Sequence, residues 1–292
     1  MPDGSAEVLV KLEYVNPTGS YKDRMALAMI EAAERNGDLK PGMTVLEYTG
    51  GSTGSSLAFV CAVKGYPIRI VSSDAFAQEK LATMRAFGAD LEIILSEGGK
   101  TTPDLVPRMM ARAAELATTG NYYRTDQFNN RNSLEGYAKI GDELLNQVEQ
   151  ISAFCGSVGT AGMLMGVAGR LRAANPDVRI VALEPSTSTV LSSGQAGSHR
   201  VEGIAPGFVP PIYDASRVSE ARSVDEADAR SMARRLAREE GIFAGTSSAL
   251  NVVGAIQIAQ ELGPGHTVVT VAVDTGLKYL AGDLYADPAA DS

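Results

Sequence analysis

Residues 44–73 read TVLEYTGGSTGSSLAFVCAVKGYPIRIVSS. Residues 44–47 are a short strand candidate, and a cluster of small residues follows it. Residues 55–64 have helical character and stop at Gly65, and the β-branched run 68–72 begins a second strand. A strand, a glycine-bearing turn, a helix and a strand in so short a span form a βαβ unit with parallel strands. The alternation continues in both directions. Upstream lie a strand at 8–12 and an Ala-rich helix at 24–35, ending near Asn36-Gly37. Downstream come a helix at 78–87 that stops at Gly88, a strand at 91–95 and a helix at 103–118. The second half repeats the logic. It has helices at 132–148, 162–174, 225–240 and 248–262, and strands at 151–155, 178–184 and 267–273. This βαβα order predicts parallel sheet with helices on both faces. Residues 185–217, rich in Ser, Gly and Pro, are expected as a long ordered loop lining a cleft. No repeat of solenoid period is present.

Composition narrows the function. The 292 residues suffice for about two domains at roughly 150 residues each. With 45% hydrophobic and 21% charged residues the chain can bury a sizeable core. Its net charge of -9 argues against nucleic acid as partner. The apolar run at 58–63 is far below the roughly 18 residues that cross a bilayer. The first residues lack a basic stretch followed by an apolar one, so no secretory signal is expected. The two cysteines, Cys61 and Cys155, lie in apolar stretches and read as buried thiols of a cytoplasmic protein. The two histidines, His199 and His266, leave almost no material for a Ser-His-Asp triad or a His-rich metal site, and no metal is expected.

Glycine, at 30 residues, is the abundant clue. Small-residue stretches at 16–24, 49–54, 156–162 and 245–248 each precede a helix, where free backbone N–H groups and a partial positive charge favour an anion. Taken singly, each could be a plain structural turn. The first contains Lys22 between Ser20, Tyr21 and Asp23. A lysine is unfavourable at the positive end of a helix. It is either a solvated surface residue or one kept there for nucleophilic chemistry. Ser247 could likewise be a simple helix N-cap. Neither classical nucleotide-binding glycine motif is present.

Taken together, five segments resemble the cysteine synthase and cystathionine β-synthase family of fold-type II pyridoxal-phosphate (PLP) enzymes. Residues 16–24 (NPTGSYKDR) look like the family's lysine motif, and residues 49–54 (TGGSTG) like its Thr-Ser-Gly-Asn-Thr-Gly loop. Residues 159–163 (GTAGM) look like its Gly-Thr-Gly-Gly-Thr phosphate cup, residues 203–210 (GIAPGFVP) like Gly-Ile-Gly-Ala-Gly-Phe, and residues 241–248 (GIFAGTSS) like Gly-Ile-x-x-Gly-x-Ser-Ser. Their order and spacing agree.

The resemblance implies an α/β, tryptophan-synthase-β-like fold: two parallel-sheet, three-layer αβα domains with PLP in the cleft. One domain would span 13–128 with a mobile part at about 67–112, and the other 1–12 plus 129–292. It implies that Lys22 bonds PLP covalently and acts as catalytic base. Gly159, Thr160, Ala161, Gly162 and Met163 would hold the phosphate, Ser247 would face the pyridine nitrogen, and Ser52 would stand beside the cofactor. Thr49, Gly50, Ser52, Thr53, Gln127 and Gly203 would bind the amino-acid substrate. Departures are Gly50 for a family serine, Ser52 for an asparagine, Ala161 and Met163 for a glycine and a threonine, and Ala249 for the glycine after Ser-Ser.

The implied activity is that of a transferase or lyase: β-replacement on an O-activated serine, with sulfide or another small nucleophile, in a homodimer. Serine/threonine dehydratase or threonine synthase chemistry, and a catalytically silent scaffold, are the alternatives; a nicotinamide oxidoreductase lacks its fingerprint.

Overall fold

The structure is a computed structural model, and it describes residues 2–98, 102 and 104–286. In chain order the elements are β1 (Glu7–Leu12), α1 (Lys22–Asn36), β2 (Thr44–Tyr48), α2 (Ser52–Lys64), β3 (Ile68–Ser73), α3 (Gln78–Ala86), β4 (Asp90–Ile94), α4 (Leu105–Thr119) and β5 (Tyr122–Arg124). They continue with α5 (Ser133–Gln147), β6 (Ala153–Ser157), α6 (Gly162–Ala174), β7 (Arg179–Pro185), α7 (Val190–Ser193), β8 (Glu220–Val224), α8 (Glu226–Arg235), α9 (Thr246–Leu262) and β9 (Thr267–Ala272). The fold is α/β with two sheets, ordered β1-β9-β6-β7-β8 and β4-β3-β2-β5. Every strand pair in both is parallel.

Two compact units result, Met1–Tyr21 with Tyr137–Ser292, and Lys22–Gly136. The divisions fall at 21/22 and 136/137, rather than at 12/13 and 128/129. Residues 13–21 go with the larger unit because they are tied to its sheet. Ser20 bridges Asp274, and the Tyr21 N–H donates to the Val273 carbonyl at 3.1 Å. The Tyr21 ring meets that of Tyr137 edge-on at 5.2 Å. The expected moving part, 67–112, takes in β3, α3, β4 and part of α4. Its residues 99–101 and 103, including the expected helix start at Pro103, lie outside the described residues.

Each sheet buries its own core. In the larger unit Ala153 and Cys155 on β6, Val181 and Leu183 on β7, Leu250 and Ile258 on α9 and Val268 on β9 pack together. In the smaller unit Leu105, Met109, Ala113 and Leu116 form a helical stripe on α4 and pack on Leu46, Tyr48 and Val71. A fully buried leucine of this kind contributes about 1.5–3 kcal/mol. Helix ends follow local rules. Gly65 stops α2 at φ 78 with its N–H on the Cys61 carbonyl. The Asp225 carboxylate caps α8, accepting from the Ala227 and Asp228 N–H groups.

The structure departs from the sequence expectations in four places. Strands β5 and β8 are additional edge strands. The long loop at 185–217 is interrupted by the short helix α7, whose Leu191 and Ser192 N–H groups donate to the buried Glu184 carboxylate at 2.8 and 3.0 Å. The helix expected through residue 240 changes to a π-helical turn at Leu236–Glu240. Helices α1, α2 and α9 begin earlier than expected, at Lys22, Ser52 and Thr246. Both cysteines are free and buried, and burial pushes each thiol up to about 12. Among the described residues no helix is long and apolar enough to cross a membrane.

Candidate functional site

In the smaller unit, Lys22 is the first residue of α1 and part-buried. The loop at 49–54 leaves the carboxyl end of β2, where open parallel sheets bind ligands. The Thr49 hydroxyl accepts from the Gly51 N–H at 3.1 Å, shaping the turn. Gly50 has no room for a side chain, because a Cβ there would run into the Phe76 ring. Gly51 is the N-cap of α2, Ser52 its first residue and Thr53 buried in its first turn. From the end of the neighbouring strand β5 comes Gln127, also buried. The Thr53 hydroxyl donates to Gln127 Oε1 at 2.8 Å, and Gln127 Nε2 donates to the Tyr48 carbonyl at 3.4 Å. The structure therefore brings together Thr53 and Gln127, which stand 74 residues apart in the chain.

One group there was not among the sequence candidates. Glu47, fully buried in β2, accepts from the Thr125 hydroxyl at 2.6 Å, the Gln127 N–H at 3.0 Å and the Tyr48 N–H at 2.9 Å. Burial pushes its carboxyl up to about 7, against the lowering effect of these three donors. The sequence signal was a lone glutamate in an otherwise apolar strand.

In the larger unit, Gly159, Thr160 and Ala161 join β6 to α6, and Gly162 and Met163 open the helix. Ala161, the N-cap, has φ 68, and no side chain caps the helix. This fits a phosphate group. The first turn's N–H groups meet no side-chain cap acceptor, and the left-handed residue curls the loop over the helix end. The Gly203 carbonyl stands where a Cβ on Gly159 would go, so these two segments touch through backbone. Ala205 N–H donates to the Val158 carbonyl at 2.8 Å and holds them together.

Ser247, buried in the first turn of α9, is not the helix cap: Gly245 is, and no side chain bonds there. The Ser248 hydroxyl is committed, accepting from the Val273 N–H at 2.8 Å. The entry to α9 is fixed, since Gly245 N–H donates to the Asp274 carbonyl at 3.0 Å and a Cβ on Gly245 would strike the Asp274 carboxylate.

Among the described residues three non-glycines have left-handed backbone: Asp126 at φ 50, Ala161 at φ 68 and Ala205 at φ 46. One adjoins Gln127, one lies in the 159–163 loop and one in the 203–210 segment. Backbone strain held in place by its surroundings concentrates at functional sites.

Residues 3–274 match the family described as pyridoxal-phosphate dependent enzyme. A cysteine synthase of Staphylococcus aureus (strain N315) is 44% identical over 287 residues, covering 97% of this chain and 91% of the relative. A probable cysteine synthase of Bacillus subtilis (strain 168) is 37% identical over 290 residues, covering 98% and 92%. The crystal structure of O-acetyl serine sulfhydrylase isoform 3 from Entamoeba histolytica has a TM-score of 0.89 at 35% identity, covering 95% of this chain and 82% of that one. The chain belongs to the pyridoxal-phosphate dependent enzyme family, and pyridoxal phosphate is its cofactor.

Proposed function

We propose that this enzyme is a cysteine synthase-type transferase, replacing the β-substituent of an O-activated serine, O-acetylserine, with sulfide. The observation that carries the reading is the buried Thr53–Gln127 pair, at the ends of adjacent strands β2 and β5. The Thr53 hydroxyl gives its proton to Gln127 Oε1 and so orients the amide, whose second N–H is a neutral donor for an amino-acid carboxylate where the resemblance to cysteine synthases asks for one.

Each residue has a role in this reading. The Lys22 amine would hold the cofactor covalently and would serve as the base for the α-proton of the substrate. Thr49, Gly50, Ser52 and Thr53 present backbone and hydroxyl donors to the substrate carboxylate, and Gln127 adds an amide N–H. Gly203 lines the substrate side. Backbone N–H groups of Gly159, Thr160, Ala161, Gly162 and Met163 hold the phosphate, with the Thr160 hydroxyl helping, and Ser52 stands beside the cofactor. Pyridoxal phosphate, when bound, supplies an electron-withdrawing ring that makes the α-proton of a bound amino acid removable. Ser247 would face the ring nitrogen with a neutral hydroxyl rather than a carboxylate, so it would not hold a proton there, which would temper electron withdrawal and favour departure of the β-substituent. The reading includes a homodimer in the cytoplasm.

The test is turnover by the purified holoenzyme. O-acetylserine plus sulfide is expected to give cysteine, and Lys22→Ala is expected to abolish it while the protein stays folded. The wild-type protein is expected to be yellow and to bleach with borohydride, leaving PLP fixed to Lys22. Pyruvate in place of cysteine would make the enzyme a dehydratase. Full activity in the alanine variant would overturn the reading altogether.

A further inference from the structure

The turn that delivers Gln127 is strained, and one buried group clamps both sides of it. Asp126 sits at φ 50, in the left-handed region. On one side the Thr125 hydroxyl, and on the other the Gln127 N–H, both donate to the same oxygen, Glu47 Oε2, at 2.6 and 3.0 Å. The other oxygen accepts from the Tyr48 N–H at 2.9 Å, immediately before the loop that begins at Thr49. Thus one carboxylate is bonded to the approach of both segments, and these meet again at Thr53 and Gln127, 2.8 Å apart. The Gln127 amide is oriented in turn. Its oxygen accepts from Thr53 and one N–H points to the Tyr48 carbonyl, which leaves its second N–H to give.

We propose that Glu47 is a positioning residue for the substrate-carboxylate subsite: its carboxylate fixes the Thr125–Asp126–Gln127 turn and thereby the placing of the Gln127 amide against Thr53. The proposal rests on the reading of Thr53 and Gln127 as carboxylate-binding groups. It also accounts for the residue type. In the ionised form, which holds above about pH 7, all three bonded partners donate and the carboxylate only accepts. A glutamine at 47 would turn an NH2 group toward at least one of them, leaving buried donors facing each other. The clamp helps to hold Asp126 in a backbone region worth of order 1–3 kcal/mol of strain, together with the Asn129 and Asn130 N–H groups that donate to the Asp126 carbonyl at 3.0 and 2.9 Å.

The experiment is steady-state kinetics at pH 8 of Glu47→Gln, Glu47→Asp, Thr125→Val and Gln127→Ala as holoenzymes. Glu47→Gln is expected to raise KM for O-acetylserine about tenfold, with kcat within about twofold. KM for sulfide and the cofactor's visible absorption are expected to stay as in the wild type. Glu47→Asp keeps an acceptor-only group and is expected to recover part of the loss. Thr125→Val removes one donor and is expected to raise the same KM about threefold. A folded Glu47→Gln with unchanged KM overturns the proposal, as does an equal loss in kcat, both KM values and cofactor absorption, which marks a merely structural role. If Glu47→Gln does not fold, Thr125→Val decides, and an unchanged KM there is equally fatal. Gln127→Ala separates the two levels. An unchanged KM in that variant overturns the subsite reading itself, whereas a raised KM there beside an unchanged one in Glu47→Gln overturns only the role of Glu47.

Discussion

The loops at 49–54 and 158–161 do the same work in the fold. Each takes the chain off a buried parallel strand, β2 or β6, into the first turn of a helix, α2 or α6. They are hemmed in by different things. Around the first, the obstacles are side chains: the Phe76 ring against Gly50, and Met84 and the Thr49 methyl against Gly54. Around the second, the obstacle is backbone, the Gly203 carbonyl against Gly159. The first rests on side-chain hydrogen bonds and a buried carboxylate; the second has an uncapped helix end and a strained alanine. A side-chain wall can be moved by a second substitution, while a carbonyl held in its own turn cannot. The first loop is therefore the place where specificity can change, and the second a place where little can.

The sharpest test of that contrast is Gly159→Ala. The added methyl meets the Gly203 carbonyl, and the Ala205–Val158 hydrogen bond at 2.8 Å holds that segment against it. The substitution is expected to cost about 3 kcal/mol, the upper end for overpacking, and to weaken cofactor binding about 100-fold. Cofactor titration into the apoprotein, with thermal unfolding alongside, measures both. Affinity and stability equal to the wild type would remove the distinction between the two loops.

The buried carboxylate predicts a second difference. Burial raises the folded-state value of Glu47 to about 7, from an ordinary 4.5, with the nearby Asp126 charge adding a little. Between those values the folded chain holds a proton that the unfolded chain has released. The stabilisation is present below the ordinary value and is lost as pH rises through 7. It amounts to about 3 kcal/mol. Denaturant unfolding at pH 5 and pH 8 is expected to lose less stability over that interval in Glu47→Gln than in the wild type. Identical slopes would mean that Glu47 titrates normally.

Gly50→Ser is next in size. The serine side chain strikes the Phe76 ring, so the single variant is expected to lose about 1–2 kcal/mol and to bind O-acetylserine more weakly. Trimming the ring with Phe76→Ala makes room, and the pair is expected to couple by about 1 kcal/mol in a double-mutant cycle read from melting temperatures and KM. Strict additivity would show that the two residues do not oppose one another.

What was legible in the sequence follows the same physics. Strands such as residues 153–157, every one buried, announce themselves as apolar runs. Strand β8 was hidden because Glu220 and Arg222 exchange ion pairs with Arg179 and Glu261, which makes an edge strand look like a polar loop. Strand β5 has three residues, too few for a period to show. The helix starts at Ser52 and Thr246 were missed because small polar residues have weak helix propensity, and the backbone geometry of the preceding glycines outweighed it. The glycine clusters were visible as motifs, but Gly203 facing Gly159 is a tertiary contact with no local signal. Glu47 needed the ends of β2 and β5 side by side before its three donors could be seen.

The smallest expected effect falls on Ala161, and its size is informative because three terms compete. At φ 68 an alanine is strained by about 1–2 kcal/mol, which Ala161→Gly relieves. Against this, the alanine is buried at 3% exposure, and its methyl contributes about 0.8 kcal/mol of burial. A glycine also gives the unfolded chain more freedom, worth about 0.4–1 kcal/mol. The sum is near zero, so the melting temperature is expected to move by less than about 2 °C. Cofactor affinity should hold, because the backbone N–H groups are common to both residues. A gain above about 1 kcal/mol would mean that the strain is not offset by packing. A loss of that size would mean that the methyl packs more tightly than one buried carbon, and that this loop too has a side-chain wall.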